Sequence, residues 1–405
     1  MAATRTVLDV GMRVVIAPRR YAGTLTAGEA AEAIARGWGR AAPHDHLVLV
    51  PLSDGGPGFV DVLAAGLGGD VLAATVPDPL GRDVPATVLV VDDAHGRTAY
   101  VESTQAVGRD LVAVADRDPG HTSSAGLGVL LDLALSTAPT RLVVGVGDAA
   151  THDGGAGLLA ALGVGDPSRL GAGGLALAAA TLDDLTGLVR ARERFRGVPL
   201  VLATTAQLPL LGFKGTSAVD AEDRGATAPQ AQSLEAALGR WVDLVGRAHP
   251  APTDLLTGGA RRLDREPGAG AAGGLGYALY LLGARRVDAA VLVAEALSLA
   301  DRVREADLVV TGEGTYDWRS LQDSVPAAVS EIAMAAGVPA LVLAGQTSVG
   351  RREAMTAGFS ATYAVADRVA GLATALADPV GTLEARAARV AATWSPAPDD
   401  RRSSA

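Results

Sequence analysis

The chain has 405 residues, which is long for a single hydrophobic core and makes two domains the default expectation. Hydrophobic residues make up 49% of it, which excludes global disorder, and a formal net charge of −10 argues against a nucleic-acid partner. The absence of cysteine excludes disulfides and cysteine-ligated metals, and no run is apolar enough to span a membrane. We therefore expect a cytoplasmic protein.

The first part of the chain has the alternating strands and helices of an α/β fold. The predicted elements are a strand over residues 13–17, a helix from 27 to about 37, a strand over 46–52 and a helix from about 59 to 67. Thr24 or Thr26 is placed to cap the first helix. The second strand is continuously apolar, which is typical of a buried parallel strand.

The pattern changes after Gly68. Short runs at residues 71–76, 86–91 and 98–102, separated by turn sequences, predict an antiparallel meander. It is followed by a predicted helix near 126–136, a strand at 141–146, a glycine-rich turn opening a helix after 147, a helix or loop at 175–184, a strand at 199–204 and a helix at 229–245. We interpret this middle block as a separate α/β domain.

Doubly wound character returns near the C-terminus. The predicted elements are strands at residues 306–311, 339–344 and 359–366, and helices at 325–336, 351–357 and 369–393. Because the first and last blocks share a pattern that the middle lacks, we predict an α/β protein of two domains. Residues 1–68 and 285–394 form a discontinuous doubly wound domain, residues 69–284 form an inserted domain, and residues 395–405 form a disordered tail.

Residues 267–276 read Pro-Gly-Ala-Gly-Ala-Ala-Gly-Gly-Leu-Gly and lead into an apolar helical run. Glycine-rich backbone at the start of a helix exposes N–H donors beside the positive end of the helix dipole, which suits a phosphate or a carboxylate. The same stretch also suits a close helix-packing seam or a flexible linker, and its spacing matches neither the dinucleotide nor the Walker A pattern. Both interpretations stay open at this point.

Three predicted strands end in acidic turns flanked by glycine. They are Asp54-Gly-Gly, Asp153-Gly-Gly and Gly312-Glu313-Gly314, with Asp317 just beyond the third. Open α/β sheets bind ligands at the carboxyl ends of their strands, where carboxylates can hold Mg²⁺ or accept a hydroxyl proton. Asp and Gly are also ordinary turn residues. Three such turns together favour a site for an anion and a metal ion.

Five blocks of this sequence, in order, resemble the signature blocks of the bacterial class I glycerate kinase family, of the glycerate 2-kinase type. They read Leu52-Ser-Asp-Gly-Gly, Gly145-Val-Gly-Asp-Ala-Ala-Thr-His-Asp-Gly-Gly-Ala-Gly, Leu210-Leu-Gly, Gly268-Ala-Gly-Ala-Ala-Gly-Gly-Leu-Gly and Thr311-Gly-Glu-Gly-x-x-Asp-x-x-Ser. The resemblance covers roughly residues 14–365. It implies a discontinuous flavodoxin/Rossmann-like domain with an inserted second domain. It also implies ATP-dependent phosphorylation of D-glycerate, usually to 2-phosphoglycerate, with Mg²⁺.

On this resemblance we expect catalytic roles for Asp54, Asp153, Glu313 and Asp317, with Asp153 and Glu313 as the metal ligands. The residues expected to bind substrate or phosphate are Ser53, Gly55, Gly56, Gly147, Thr151, Gly154, Gly155, Gly270, Gly273, Gly274, Ser320, Arg82 and Lys214. Lys214 is the only lysine in the chain. The expected partners are D-glycerate or a similar hydroxy acid and ATP, with no nucleic acid and no membrane. The sequence carries no signal for the oligomeric state.

The chain departs from the family pattern where the family carries charge. Ala22 and Ser324 stand at the places of two family lysines, and Arg19 stands at the place of an acid. A family Gln-Lys-Gly element becomes Asp223-Arg-Gly225. Phosphoryl transfer depends on neutralising the charge of the moving group, so cations at the phosphates carry much of the rate.

These departures leave alternatives open. Arg19, Arg20 or Arg319 could replace the missing lysines, or they could be ordinary surface arginines. One alternative to a glycerate kinase is a catalytically degenerate relative that binds a small acid or a nucleotide without transferring phosphate. Another is a kinase of a different small hydroxy acid.

Overall fold

The computed structural model describes residues 11–249, 258, 261–366 and 369–395, which form an α/β protein as predicted. The strands are β1 (Arg13–Pro18), β2 (His46–Leu49), β3 (Asp70–Pro77), β4 (Asp83–Asp93), β5 (Gly96–Glu102), β6 (Arg141–Gly145), β7 (Leu200–Ala203), β8 (Arg285–Val287), β9 (Leu308–Gly312), β10 (Thr315–Tyr316), β11 (Ala340–Ala344), β12 (Gln346–Thr347) and β13 (Ala361–Ala364).

The helices lie between these strands, joined by short 3₁₀ turns. They are α1 (Ala27–Ala41), α2 (Phe59–Leu67), α3 (Thr104–Val107), α4 (Ala125–Ser136), α5 (Ala156–Ala161), α6 (Pro167–Leu170), α7 (Leu188–Glu193), α8 (Thr216–Asp220), α9 (Ala228–Ala248), α10 (Ala271–Leu281), α11 (Ala289–Ala296), α12 (Leu299–Arg304), α13 (Val325–Ala336), α14 (Arg351–Thr356), α15 (Val369–Ala377) and α16 (Pro379–Trp394). Among the described residues, no helix is both long and apolar enough to cross a membrane.

The chain divides into two compact units. The terminal unit comprises Met1–Ser53 and Ala290–Ala405, and the inserted unit comprises Asp54–Ala289. The sequence pattern placed these boundaries at 68/69 and 284/285. The difference at the first boundary is the position of α2, which packs on β4 and β5 of the inserted unit rather than on the terminal sheet.

The terminal unit is built on a five-stranded parallel sheet of order β13-β11-β9-β1-β2. With the strands of this sheet numbered in chain order, the order is 2-1-3-4-5, which is that of flavodoxin-like doubly wound sheets. Val14 and Ile16 of β1 belong to a core shared with α1 and α16, and Val15 between them is also fully buried. Alternate residues of a strand point to opposite faces, so both faces of this strand are covered.

The inserted unit has a six-stranded sheet of order β3-β4-β5-β6-β7-β8. The pairs β3–β4 and β4–β5 are antiparallel, which confirms the predicted meander, while β5 through β8 run parallel. Its core is made mainly of Ala, Val and Leu from these strands and from α4, α5, α9 and α10. The parallel half places the carboxyl ends of β5, β6 and β7 on one edge.

Three local predictions about the terminal unit were wrong. β2 is the edge strand, and His46 and Leu49 are exposed rather than buried. The predicted long helix at 369–393 is two helices, because Pro379 lacks an N–H donor and begins α16 with Asp378 as its cap. Ser395 is buried and donates a hydrogen bond to Asp45, whereas the rest of the predicted tail, residues 396–405, lies outside the described residues.

Candidate active site

The carboxyl ends of three parallel strands meet at one edge of the inserted sheet. Glu102 at the end of β5 is level with Gly145 at the end of β6, and Gly145 is level with Ala203 at the end of β7. The loops that follow these strands therefore start side by side. Open α/β sheets bind their ligands at such an edge.

The Asp54-Gly-Gly turn lies directly against this edge. Gly55 has a φ of +89°, and a Cβ on it would lie 2.6 Å from the Ala203 carbonyl oxygen. A Cβ on Gly147 would lie 2.3 Å from the Cα of Gly56. Only glycine fits so close a backbone approach. Asp54 is half-buried, and its Oδ1 accepts a hydrogen bond from the Gly56 N–H at 3.1 Å.

The glycine-rich stretch 267–276 packs against the turn that contains Asp153. The Gly154 N–H donates to the Gly273 carbonyl at 3.0 Å. A Cβ on Gly273 would lie 2.0 Å from the Thr151 carbonyl oxygen, and one on Gly274 would lie 2.6 Å from the Cα of Gly154. Ala272, Gly273 and Gly274 all have left-handed backbone, so the regular part of α10 starts after them. These glycines serve close backbone packing, which is the packing-seam interpretation of the stretch.

The structure thus assembles most of the expected residues of the inserted unit. The three glycine turns in contact with one another contain Asp54, Gly55, Gly56, Gly147, Thr151, Asp153, Gly154, Gly155, Gly270, Gly273 and Gly274. Two expected residues of this unit are engaged or exposed elsewhere. Arg82 is ion-paired with Asp78 and donates to the Leu111 carbonyl, and Lys214 is exposed on the loop after β7.

Asp153 is fully buried and holds its own turn together. Its Oδ2 accepts hydrogen bonds from the Ser124 N–H at 2.9 Å, the Ser124 hydroxyl at 2.8 Å and the Gly157 N–H at 3.2 Å. Its Oδ1 accepts from the Gly155 N–H at 3.0 Å. Burial raises the pKa of this carboxyl, and the four donors oppose that rise. Four protein donors, three on Oδ2 and one on Oδ1, already contact this carboxylate, so the geometry favours a positioning role over metal ligation.

Two hydroxyls at this edge are buried without a hydrogen-bond partner among the described residues. They belong to Thr151, which the sequence singled out, and to Ser103, which it did not. A buried polar group left unpaired costs about 1–3 kcal/mol, so orphaned hydroxyls at the ligand edge of a sheet are candidates for bonding a ligand. Ser103 follows directly after β5, and its place at a parallel strand end was hidden by the meander pattern.

Glu102 is a second buried carboxylate that the sequence pattern did not indicate. It accepts hydrogen bonds from the Gly58 N–H at 3.2 Å, the Val60 N–H at 3.1 Å and the Thr104 hydroxyl. Burial raises the pKa of Glu102. Because the two N–H groups belong to the start of α2, this carboxylate ties the Asp54 turn to the end of β5.

A buried arginine, Arg224, and a buried histidine, His152, stabilise the turn that leads to Asp153. Arg224 donates to the Ala149 carbonyl at 3.1 Å, and its Nη1 lies 3.5 Å from His152 Nδ1. His152 Nε2 lies 2.9 Å from the Ser217 hydroxyl. Arginine only donates, so Nδ1 accepts and Nε2 carries the proton toward Ser217, which excludes His152 as a base for that hydroxyl. Burial and then the Arg224 charge lower the pKa of His152 well below its ordinary value.

In the terminal unit the charged groups sit where the strand order reverses, between β1 and β9. Arg19 directly follows β1, and its N–H donates to the Gly312 carbonyl at 2.9 Å. Its Nη1 lies 3.2 Å from Glu313 Oε2, and the two side chains are 25% and 5% exposed. Arg319, by contrast, is exposed and stacks on Trp318. Arg19 therefore reaches the switch point, and Arg319 does not.

Two tyrosines lie near this pair. The Tyr21 hydroxyl donates to the Leu343 carbonyl, and burial together with the Glu313 charge raises the pKa of Tyr21. The same two causes raise the pKa of Tyr316 to about 12. The buried Tyr316 hydroxyl has no hydrogen-bond partner among the described residues. It is a neutral donor beside a charged pair.

The remaining expected residues of the terminal unit are engaged locally. Asp317 Oδ1 accepts from the Arg319 N–H at 2.8 Å, and the Ser320 hydroxyl accepts from the Asp317 N–H at 3.1 Å, so the two cap one short turn. Ser53 is buried. Ser324 caps α13, with its hydroxyl donating to the Ser320 carbonyl at 2.6 Å, so it supplies neither charge nor reach in place of a lysine.

The described residues contain no group of three or more histidine, aspartate or glutamate side chains placed to hold a metal ion. Asp153 lies in the inserted unit and Glu313 in the terminal unit. The Asp153 carboxylate accepts four hydrogen bonds from protein donors, and the Glu313 carboxylate is paired with the Arg19 guanidinium. Among the described residues, the donor set of either unit taken by itself does not fit a metal ion.

Comparisons with known proteins agree with the resemblance. The glycerate kinase family profile matches residues 14–395. An uncharacterized protein of Mycobacterium tuberculosis is 36% identical over 383 residues, spanning 94% of this chain and 91% of its own. The glycerate kinase of Bacillus subtilis is 35% identical over 390 residues, spanning 94% of this chain and 97% of its own.

A solved structure gives the same result. A crystal structure described as a glycerate kinase 2 from Salmonella typhimurium LT2 superposes with a TM-score of 0.71 at 32% sequence identity. The match covers 95% of this chain and 98% of the other. The α/β fold, the family resemblance and the expectation of a kinase are thereby confirmed. The chain belongs to the glycerate kinase family.

Proposed function

We propose that this protein transfers a phosphoryl group from ATP to D-glycerate and forms 2-phosphoglycerate. The observation that carries the proposal is similarity over nearly the whole chain to proteins named glycerate kinase. The contact between the glycine turns at the edge of the inserted sheet supports it, because those turns include three of the five sequence blocks that carry the resemblance. The cytoplasmic location and the absence of a nucleic-acid partner remain predictions.

In this proposal the inserted unit binds through hydroxyls and backbone. Thr151 and Ser103 donate hydrogen bonds to substrate or phosphate oxygens, which satisfies their otherwise unpaired groups. Asp153 positions the turn that carries Thr151, and the half-buried carboxylate of Asp54 at that edge accepts a hydroxyl proton. Lys214 is exposed on a long flexible stem and supplies positive charge to the phosphates.

The terminal unit contributes charge at its switch point. Arg19 is the cation there, and a planar guanidinium can hold carboxylate or phosphate oxygens through two hydrogen bonds. Glu313 fixes the orientation of Arg19. Asp317 and Ser320 shape the turn that follows β10 and stay proposed contacts of the substrate.

A specific observation also favours a second function, a binding protein that transfers no phosphate. Ala22 and Ser324 stand where the family has lysines, and the Ser324 hydroxyl is used as a helix cap. Loss of cations at the phosphates lowers the rate of transfer more than it weakens binding, because those cations act on the charge of the transition state. A kinase of another small hydroxy acid would share every feature named above.

The test is ADP formation by purified protein with ATP, D-glycerate and Mg²⁺, beside a control without glycerate. Glycerate-dependent ADP release with a product whose phosphorus spectrum matches 2-phosphoglycerate would establish the proposal. No turnover, together with a rise in Tm on adding glycerate or ATP, would replace it with the binding protein. Turnover with another hydroxy acid and none with glycerate would replace only the substrate.

A further inference from the structure

The charged pair at the switch point has a consequence for metal binding. Glu313 is the acid expected to hold Mg²⁺ in the terminal unit, and its Oε2 is 3.2 Å from Arg19 Nη1. We propose that Arg19 is the resident counter-charge of Glu313, so that the protein holds no metal ion there and any Mg²⁺ arrives bound to the nucleotide. This inference rests on the proposed function.

Burial makes this pair costly to break. The Glu313 side chain is only 5% exposed, so its charge is largely removed from water. A buried carboxylate needs a counter-charge, and removing one partner of such a pair is strongly unfavourable. Arg19 cannot lose its proton at accessible pH, so its charge is present throughout. A divalent cation would have to displace the Arg19 guanidinium, which the chain itself holds beside Glu313.

The backbone holds Arg19 in that place. Its N–H continues the pairing of β1 with β9 through the Gly312 carbonyl at 2.9 Å. Arg19 and Glu313 each follow directly on one of two neighbouring strands, so the sheet itself sets their approach. The pair is therefore part of the fold.

The other acids do not offer a site in its place. Asp153 accepts hydrogen bonds from four protein donors, and Asp317 caps the short turn that contains Ser320. Among the described residues no third carboxylate or histidine completes a metal site with any two others. Mg²⁺ prefers several oxygen ligands in octahedral geometry, which nucleotide phosphates and water can supply.

The experiment is titration of the full chain with Mn²⁺ in the absence of nucleotide, with free Mn²⁺ measured by electron paramagnetic resonance. Four proteins are compared with the wild type: Arg19→Asp, Arg19→Asp combined with Glu313→Gln, Glu313→Gln alone, and Arg97→Asp. Arg97 is the matched control, because it also faces one carboxylate, that of Asp92 at 2.8 Å, but on an exposed surface.

We expect no saturable Mn²⁺ binding tighter than millimolar in the wild type, Glu313→Gln and Arg97→Asp. Arg19→Asp and Arg97→Asp each place two carboxylates together, but only the pair at 19 and 313 is largely shielded from water. Arg19→Asp should therefore bind Mn²⁺ at least about tenfold more tightly than Arg97→Asp, and Glu313→Gln should reverse that gain. Equal binding by Arg19→Asp and Arg97→Asp would overturn the proposal.

If Arg19→Asp does not fold, Mn²⁺ binding by the wild type and by Glu313→Gln tests the proposal instead. Saturable Mn²⁺ binding by the wild type that is lost in Glu313→Gln overturns the proposal, and its absence supports it. None of these readouts requires turnover. Failure of this inference is therefore distinguishable from failure of the proposed glycerate kinase activity, which the ADP assay measures.

Discussion

At the edge of the inserted sheet the Asp153 carboxylate receives four hydrogen bonds from its own unit, whereas at the edge of the terminal sheet Glu313 faces the guanidinium of Arg19. Both acids lie in a turn after a buried strand and are followed directly by a glycine, so the sequence pattern does not distinguish them. The structure separates them by their partners. Asp153, whose hydrogen bonds come from backbone N–H groups and a hydroxyl, fixes the conformation of its loop. Glu313, which is paired with a guanidinium, affects the charge of the site.

This comparison predicts that substitutions at the inserted edge act first on stability and substitutions at the terminal edge act first on ligands. The expected effects below run from the largest to the smallest. Each has a control from the same unit that changes the residue type in the same way.

Gly273→Ala should lower the free energy of unfolding by about 3 kcal/mol. Alanine at a φ of +68° costs about 1 kcal/mol, and its Cβ would lie 2.0 Å from the Thr151 carbonyl oxygen, which requires the backbone to move. Gly163→Ala is the control, because its φ is +91° and nothing lies within 4 Å of the added Cβ. Denaturant unfolding measures both. Equal losses would show that the turns are not packed against each other.

Asp153→Asn should lower the free energy of unfolding by about 2 kcal/mol. The amide nitrogen of asparagine cannot accept, so buried donors among Ser124, Gly155 and Gly157 lose their acceptor. Asp166→Asn is the control, since Asp166 caps the exposed start of α6, where asparagine serves equally well. If the two variants unfold alike while Asp153→Asn loses turnover, Asp153 acts in the chemistry rather than in the loop.

His152 should make the free energy of unfolding depend on pH below about pH 6.5. Its pKa in the folded protein is well below the ordinary value, so below about pH 6.5 the unfolded chain binds a proton that the folded chain does not. Stability is therefore lost as pH falls, with a slope of up to about 1.4 kcal/mol per pH unit from this group.

The variant His152→Asn should remove that slope, and His95→Asn, which changes an exposed histidine of the same unit, should leave it. Unfolding free energies at a series of pH values between 5 and 7.5 measure it. An unchanged slope in His152→Asn would mean that His152 is protonated inside the fold.

Much of the fold was predictable from local pattern. Apolar runs marked β6, β9 and β11, and the predicted helices at 59–67 and 325–336 coincide with α2 and α13. Where a single residue overrides the pattern, the prediction failed, as at Pro379, which divides an otherwise continuous helical run.

The site was less predictable, because its partners are distant in sequence. Arg19 and Glu313 are 294 residues apart, and no local pattern links them. The glycine turns were recognised, but their contact with one another depends on how β5 to β8 line up. Ser103 and Glu102 were missed because β5 was taken for the end of a meander, although its other neighbour is parallel.

The most direct test of the account is kcat/KM for D-glycerate in the wild type, Arg19→Ala and Arg13→Ala. Arg13 begins β1, the strand that Arg19 directly follows, and is ion-paired with Glu305 at 3.2 Å, so it matches Arg19 in residue type and pairing but not in location. We expect Arg19→Ala to lower kcat/KM about 100-fold, since it removes the cation at the ligand edge, and Arg13→Ala to change it less than about twofold. Equal values for the two variants would contradict the account.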